Sequence, residues 1–123
     1  MGLVVHQGDL VWIDAEPYAG HEQGGHDPEH GNIRRPMIVI STSSYYQYTG
    51  LIIGMPITHA KSNQEQIRPP INDQKSGISG SVITYQMQNY DFEAGNGKVV
   101  GRMPRSYVQM LLPIAVGAFG IDL

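Results

Sequence analysis

A chain of 123 residues with 41% hydrophobic and only 15% charged content can bury one core and has little material for a second, so a single domain over residues 1–123 is expected. It contains no cysteine, which excludes disulfides and thiolate metal sites and fits a reducing, cytoplasmic setting. A net charge of −3 excludes a protein that holds nucleic acid chiefly by neutralising phosphates, because counterion release rewards a basic surface. A short single strand gripped at a local basic patch stays open, and Arg34, Arg35, Lys61 and Arg68 lie close enough in sequence to form one. The opening residues lack the charged and apolar regions of a secretory signal. No apolar run approaches the roughly 20 residues that span a bilayer, so no membrane partner is expected.

Residues 8–41 read GDLVWIDAEPYAGHEQGGHDPEHGNIRRPMIVIS, two short apolar runs around a long polar loop. The run 10–14 is rich in β-branched and aromatic residues and is bracketed by Gly8-Asp9 and by Pro17 and Gly20, which predicts a strand with a turn at each end. Leu10, Trp12 and Asp14 fall on one face of it, Val11 and Ile13 on the other. Both faces are largely apolar, as in a small sheet that curls into a barrel or is covered by a helix. Trp12 reads as a core anchor rather than a base-stacking platform. Residues 37–41 predict the second strand. The loop 16–33 between the strands carries most of the reactive side chains of this region, which is where chemistry is expected. Read from composition alone it is a solvated surface loop. Its three histidines, His21, His26 and His30, match no helix-borne metal pattern, so neither a metal nor another cofactor is expected.

Residues 45–50 look turn-rich, with three tyrosines that pack around the sheet or offer stacking surfaces to single-stranded RNA. Residues 51–58, LIIGMPIT, predict a buried strand, and 59–80 a polar loop with one short strand near Ile67 and Arg68. Residues 81–88, SVITYQMQ, predict the next strand, Asn96-Gly97 a hairpin turn, and 99–102 a last strand. Val108, Leu111, Leu112, Ala115, Val116 and Phe119 then recur at intervals of three and four, the apolar stripe of a helix over about 104–119. Pro104 suits its first turn, and Pro113 should kink or divide it. The stripe reads as core, with any excess left to support a two-fold dimer.

Several of these segments together resemble the MazF, PemK and Kid toxins, the mRNA-cleaving members of type II toxin–antitoxin modules. The shared order is GDLVWID, Pro17, AGHEQGG, then RRP before the strand MIVIS, followed by Pro56-Ile57-Thr58 and by Asp91, Ala94, Gly95 and Gly97-Lys98. The stretch 26–33 is longer than the family's usual spacing before Arg34. Tyr85 stands where the family has an acid, with Gln86 kept beside it, and Ile83 stands where some relatives have an arginine. The resemblance implies a small mainly β, SH3-like barrel of strongly curled antiparallel sheet with a C-terminal helix. It also implies a metal-independent, ribosome-independent endoribonuclease that cleaves single-stranded RNA at particular sequences. In that reaction the neighbouring 2′-hydroxyl attacks the phosphate, leaving a 2′,3′-cyclic phosphate and a 5′-hydroxyl.

Carried over position by position, Arg35, Thr58, His21 and Glu22 become the catalytic candidates. Arg35 would clamp the phosphate with its planar fork. Thr58 would donate to a phosphate oxygen, and His21 titrates near neutrality. Glu22 would act as base or orient His21. Gln23, Arg34, Tyr85 and Gln86 are expected to line the RNA. Implied partners are a second copy of the chain and a small antitoxin similar to MazE or PemI, whose acidic tail would lie over Arg34 and Arg35. Two alternatives remain at this level. One is a gyrase poison like CcdB, weakly echoed by Phe119-Gly120-Ile121 but lacking support from GHEQGG and RRP. The other is an inactive barrel that only binds protein or RNA, made plausible by Tyr85 and Ile83.

Overall fold

The computed structural model describes residues 4–15, 33–60 and 62–120. Along the described chain run β1 (Asp9–Ala15), β2 (Ile33–Val39), α1 (Ser43–Thr49), β3 (Leu51–Thr58), β4 (Pro70–Asp73), β5 (Ile78–Val82), β6 (Gln88–Asp91), β7 (Lys98–Arg102) and α2 (Arg105–Gly117). The strands pair antiparallel in the order β4-β5-β3-β2-β1-β7, and β6 joins β3 off that path. The sheet is strongly curled but open. Its two edges approach where a Cβ placed on Gly101 of β7 would lie 2.8 Å from the Asp73 carboxylate at the end of β4.

Alternation along the strands gives each face its own core. Leu10, Ile38, Met55, Ile57 and Val82 pack on one side with Leu111 and Ala115 of α2, and Trp12 lies half-buried against them. Val11, Ile13, Met37, Val39 and Ile52 fill the other side with Val5 and Phe92, and Tyr46 of α1 closes edge-on over the Phe92 ring. The expected split of β1, with Leu10 and Trp12 opposite Val11 and Ile13, is therefore observed. The expected curled sheet and C-terminal helix are observed as well. The buried Asp9 carboxylate accepts from Arg102 Nε at 2.7 Å and from the His6 amide at 2.8 Å, so it is not left unsatisfied where the strands meet.

Several local expectations are corrected. The second strand begins at Ile33, not Met37, because Arg34, Arg35 and Pro36 pair with Asp14, Ile13 and Trp12. Pro36 is tolerated because the ladder to β3 starts one residue later, at Met37. Residues 45–50 are mostly helix: the Thr42 hydroxyl accepts from the Tyr45 amide at 3.1 Å, and Gly50 ends α1 in the left-handed conformation at φ 73°. Ile67 and Arg68 belong to a turn, and the strands of this region are β4 and β5.

The run 81–88 is not one strand, since β5 ends at Val82 and β6 begins at Gln88. Asn96 does take a positive φ of 53°, but the flanking strands do not form a hairpin: β6 pairs with β3 and β7 with β1. Helix α2 also passes through Pro113 undivided. The carbonyl that Pro113 leaves without a donor is that of solvent-exposed Gln109, and buried Leu111 and Ala115 on either side hold the helix to the sheet. Its core stripe is narrower than expected, because Val116 and Phe119 are exposed. No helix among the described residues is long and apolar enough to cross a membrane.

Candidate active site

β2 and β3 carry the two described residues of the expected catalytic set. The register Met37↔Pro56, Ile38↔Met55, Val39↔Gly54 fixes their relation, because each step back along β2 is a step forward along β3. Continued by two residues, it sets Arg35 level with Thr58. Directly opposed residues of an antiparallel pair share a face. Here that face is the Met37 side, where a Cβ on Gly54 would come within 2.7 Å of the Met37 sulfur. Arg35 and Thr58 are both partly exposed, so they stand where the second core opens to solvent at one end of the sheet. The Thr58 hydroxyl accepts from the Ala60 amide at 3.2 Å. That bond uses a lone pair and leaves the hydroxyl hydrogen available to a ligand oxygen.

Arg34 behaves differently although it is the adjacent residue. Successive side chains of a strand leave on opposite faces. Its Nη1 donates to Asp14 at 2.7 Å, and its Nη2 donates to the carbonyls of Trp12 at 3.2 Å and Asn96 at 2.9 Å. Asn96 in turn donates from its amide to the other Asp14 oxygen at 2.8 Å. Hydrogen bonding from Asn96, and then hydrogen bonding and charge from Arg34, hold the Asp14 carboxyl below its ordinary value despite some desolvation. The expected basic patch of Arg34, Arg35, Lys61 and Arg68 is thus divided. Arg34 and Arg35 lie on opposite faces, Arg68 bonds Ala60 and Ser81, and Lys61 lies outside the described residues.

Tyr85 and Gln86 sit in the connection between β5 and β6, not on a strand. The Ile83 amide donates to the Pro56 carbonyl at 2.9 Å, which hangs this turn from β3 two residues before Thr58. Tyr85 is 59% exposed and Gln86 is exposed beside it. His21, Glu22 and Gln23 lie outside the described residues, as do His26 and His30. Sequence reasoning did not find the bonds among Arg68, Ser81 and Ala60 that anchor the turn after Thr58. The signal was only a lone arginine and a serine thirteen positions apart.

A curled antiparallel sheet backed by a C-terminal helix is the architecture on which these side chains sit, and it is that of a known class of small toxins. The chain belongs to the PemK-like, MazF-like toxin family of type II toxin–antitoxin systems, whose model matches residues 6–113. It is 38% identical to the endoribonuclease toxin MazF of Escherichia coli K12 over 55 residues, which span 45% of this chain and 42% of that protein. Its fold matches the crystal structure of MazF from Deinococcus radiodurans with a TM-score of 0.77 at 24% identity, covering 98% of this chain and all of the other. A MazE–MazF crystal structure from the same organism matches with a TM-score of 0.75 at 22% identity, over 98% and 100% of the two chains.

Proposed function

We propose that this chain is the toxin of a toxin–antitoxin pair and acts as a sequence-specific endoribonuclease on single-stranded RNA. The observation that supports the reading is the β2–β3 register, Met37 opposite Pro56, which continued by two residues would bring Arg35 level with Thr58. Family membership and the naming of its E. coli relative as an endoribonuclease toxin support it. In the proposed reaction the 2′-oxygen attacks the adjacent phosphorus while the bond from phosphorus to the 5′-oxygen breaks. One proton leaves the 2′-hydroxyl and one is delivered to the departing oxygen, so the products are a 2′,3′-cyclic phosphate and a 5′-hydroxyl.

Arg35 stabilises the charge that builds on the phosphoryl oxygens, and the Thr58 hydroxyl donates to one of them. His21 and Glu22 supply proton transfer. Gln23, Tyr85 and Gln86 contact the flanking nucleotides. Arg34, committed to Asp14, contributes long-range positive charge rather than a phosphate clamp. The chain works as one domain, as a two-fold dimer in the cytoplasm, and is neutralised by a small antitoxin whose disordered acidic tail covers the Arg35 region. That partner is suggested by the MazE–MazF structure.

The test is incubation with a long single-stranded transcript in EDTA. Discrete cuts bearing cyclic-phosphate ends are expected. Intact RNA together with gyrase-dependent DNA breaks would replace this reading with a gyrase poison, and intact RNA with no breaks would leave a binding module.

A further inference from the structure

Immediately after Thr58 the chain turns into a cleft of about 490 Å³ lined by His59, Ser62, Glu65, Arg68, Ser79 and Ser81. One wall is fixed by hydrogen bonds. Arg68 Nη2 donates to the Ala60 carbonyl at 2.9 Å and to Ser81 Oγ at 3.2 Å, and Ser81 Oγ donates to the same carbonyl at 3.1 Å. The Ala60 amide is the donor held by Thr58 Oγ1, so the wall of the cleft and the proposed phosphate-binding hydroxyl share one turn. The far end of the segment is tied down as well, with Thr84 Oγ1 donating to the Ile67 carbonyl at 2.6 Å and the Val82 amide to the Pro69 carbonyl at 2.9 Å.

We propose that this cleft receives one unstacked nucleobase beside the cleaved phosphate, and that Glu65 selects bases that present an amino group. The inference rests on the ribonuclease reading above. A phosphate is the poorer occupant for two reasons. Both bidentate faces of a guanidinium use an Nη2 bonded as this one is, and both of its hydrogens are spent on Ala60 and Ser81. The Glu65 carboxylate in the lining also repels an anion.

A base is neutral and flat. The exposed His59 ring offers a stacking surface and the Ser62 and Ser79 hydroxyls adapt to donors or acceptors, which is how unpaired RNA bases are commonly held. A carboxylate only accepts, so it favours the amino group of cytosine or adenine and, better, the paired N–H donors of guanine. Uracil offers one N–H between two carbonyl oxygens and is disfavoured.

The probes are 2′-deoxy oligonucleotides made only of cytidine or only of uridine, which lack the attacking hydroxyl and so report recognition without cleavage. The wild-type protein should bind the cytidine strand about ten- to 100-fold more tightly, the range of a single charge-assisted hydrogen bond. Glu65→Gln should bring the two within about twofold, because an amide can also donate to a uracil carbonyl. Glu65 is exposed, so the variant keeps its fold, as a thermal melt will confirm. No preference in the wild type, or one that Glu65→Gln leaves unchanged, overturns the proposal. Cleavage of a long transcript run in parallel separates the two readings. Cuts without a Glu65-dependent base preference defeat this inference alone, whereas a base preference without cuts defeats the ribonuclease alone.

Discussion

At the Asp14 corner of β2, Arg34 spends its guanidinium on a carboxylate and two main-chain carbonyls, while one residue further on Arg35 lies on the opposite face, the Met37 side. The two side chains are chemically identical and adjacent in sequence. What separates them is the pleat of the strand, which sends one toward the turn after β6 and the other toward the open end of the second core. The lesson is that a run of cations in a sequence is not a patch until its secondary structure is known. In a strand it is divided between two surfaces, so its members need not share partners.

The largest expected effect falls on the Arg35 side. Replacing Arg35 by alanine should lower RNA cleavage by about 100- to 1,000-fold, the usual loss when a preorganised transition-state donor is removed. Thr58→Val should lower it by about tenfold, because one neutral hydrogen bond is removed from nearly the same volume. Single-turnover rates on a defined transcript measure both, with melting curves to show that the fold is kept. Arg34→Ala should do the reverse. Its ion pair is more than a third exposed on the arginine side, so screening limits the stability loss to about 0.5–1 kcal/mol, a fall of a few degrees in melting temperature. Cleavage should change by less than about threefold. If Arg34→Ala abolished cleavage and Arg35→Ala only lowered the melting temperature, the division of labour drawn here would be reversed.

The difference between the two arginines was only half legible beforehand. The run 51–58 announces its strand because it is apolar from end to end and bounded by polar residues, and β3 has those limits. Trp12, Val11 and Ile13 likewise declare their faces by alternation. The start of β2 was hidden because Arg34-Arg35-Pro36 resembles a loop locally, and only pairing with β1 makes it a strand. The region 81–88 failed for a related reason. β3 pairs with β5 at Ile57 and Thr58 and with β6 from Leu51 to Gly54, so the connecting chain must cross between two partners on one strand. That requirement belongs to the topology, and no local pattern in SVITYQMQ expresses it. Helix α1 is the opposite case. Thr42 and Gly50 are ordinary cap residues that were present in the sequence but overshadowed by its tyrosines. Of the site, Arg35 and Thr58 followed from family resemblance. The Arg68–Ser81–Ala60 wall did not, because the bonds that make it depend on where β5 returns beside β3.

The smallest expected effect is an acid dependence that again distinguishes the two sides of β2. The Asp14 carboxyl is held below its ordinary value of 3.8, first by the Asn96 amide and then by Arg34. A depressed carboxylate binds its proton less readily in the folded chain than in the unfolded one. The stability it confers is therefore fully present above the unfolded value and is lost as pH falls through the folded one. Asp73, lowered by hydrogen bonds from Ser76, acts in the same direction, so absolute stabilities do not isolate Asp14. The difference between wild type and Asp14→Asn does. Measured by urea denaturation, that difference should be level from about pH 5 to 7 and shrink below about pH 4. Because Asn96 and Arg34 both hold the carboxyl down, Asn96→Ala and Arg34→Ala should each flatten the dependence. Added salt should weaken the arginine part before the amide part, since only the former is a screened charge. A difference that stays constant down to pH 2 would mean that Asp14 is not held by these partners, and the structural role assigned to Arg34 would go with it.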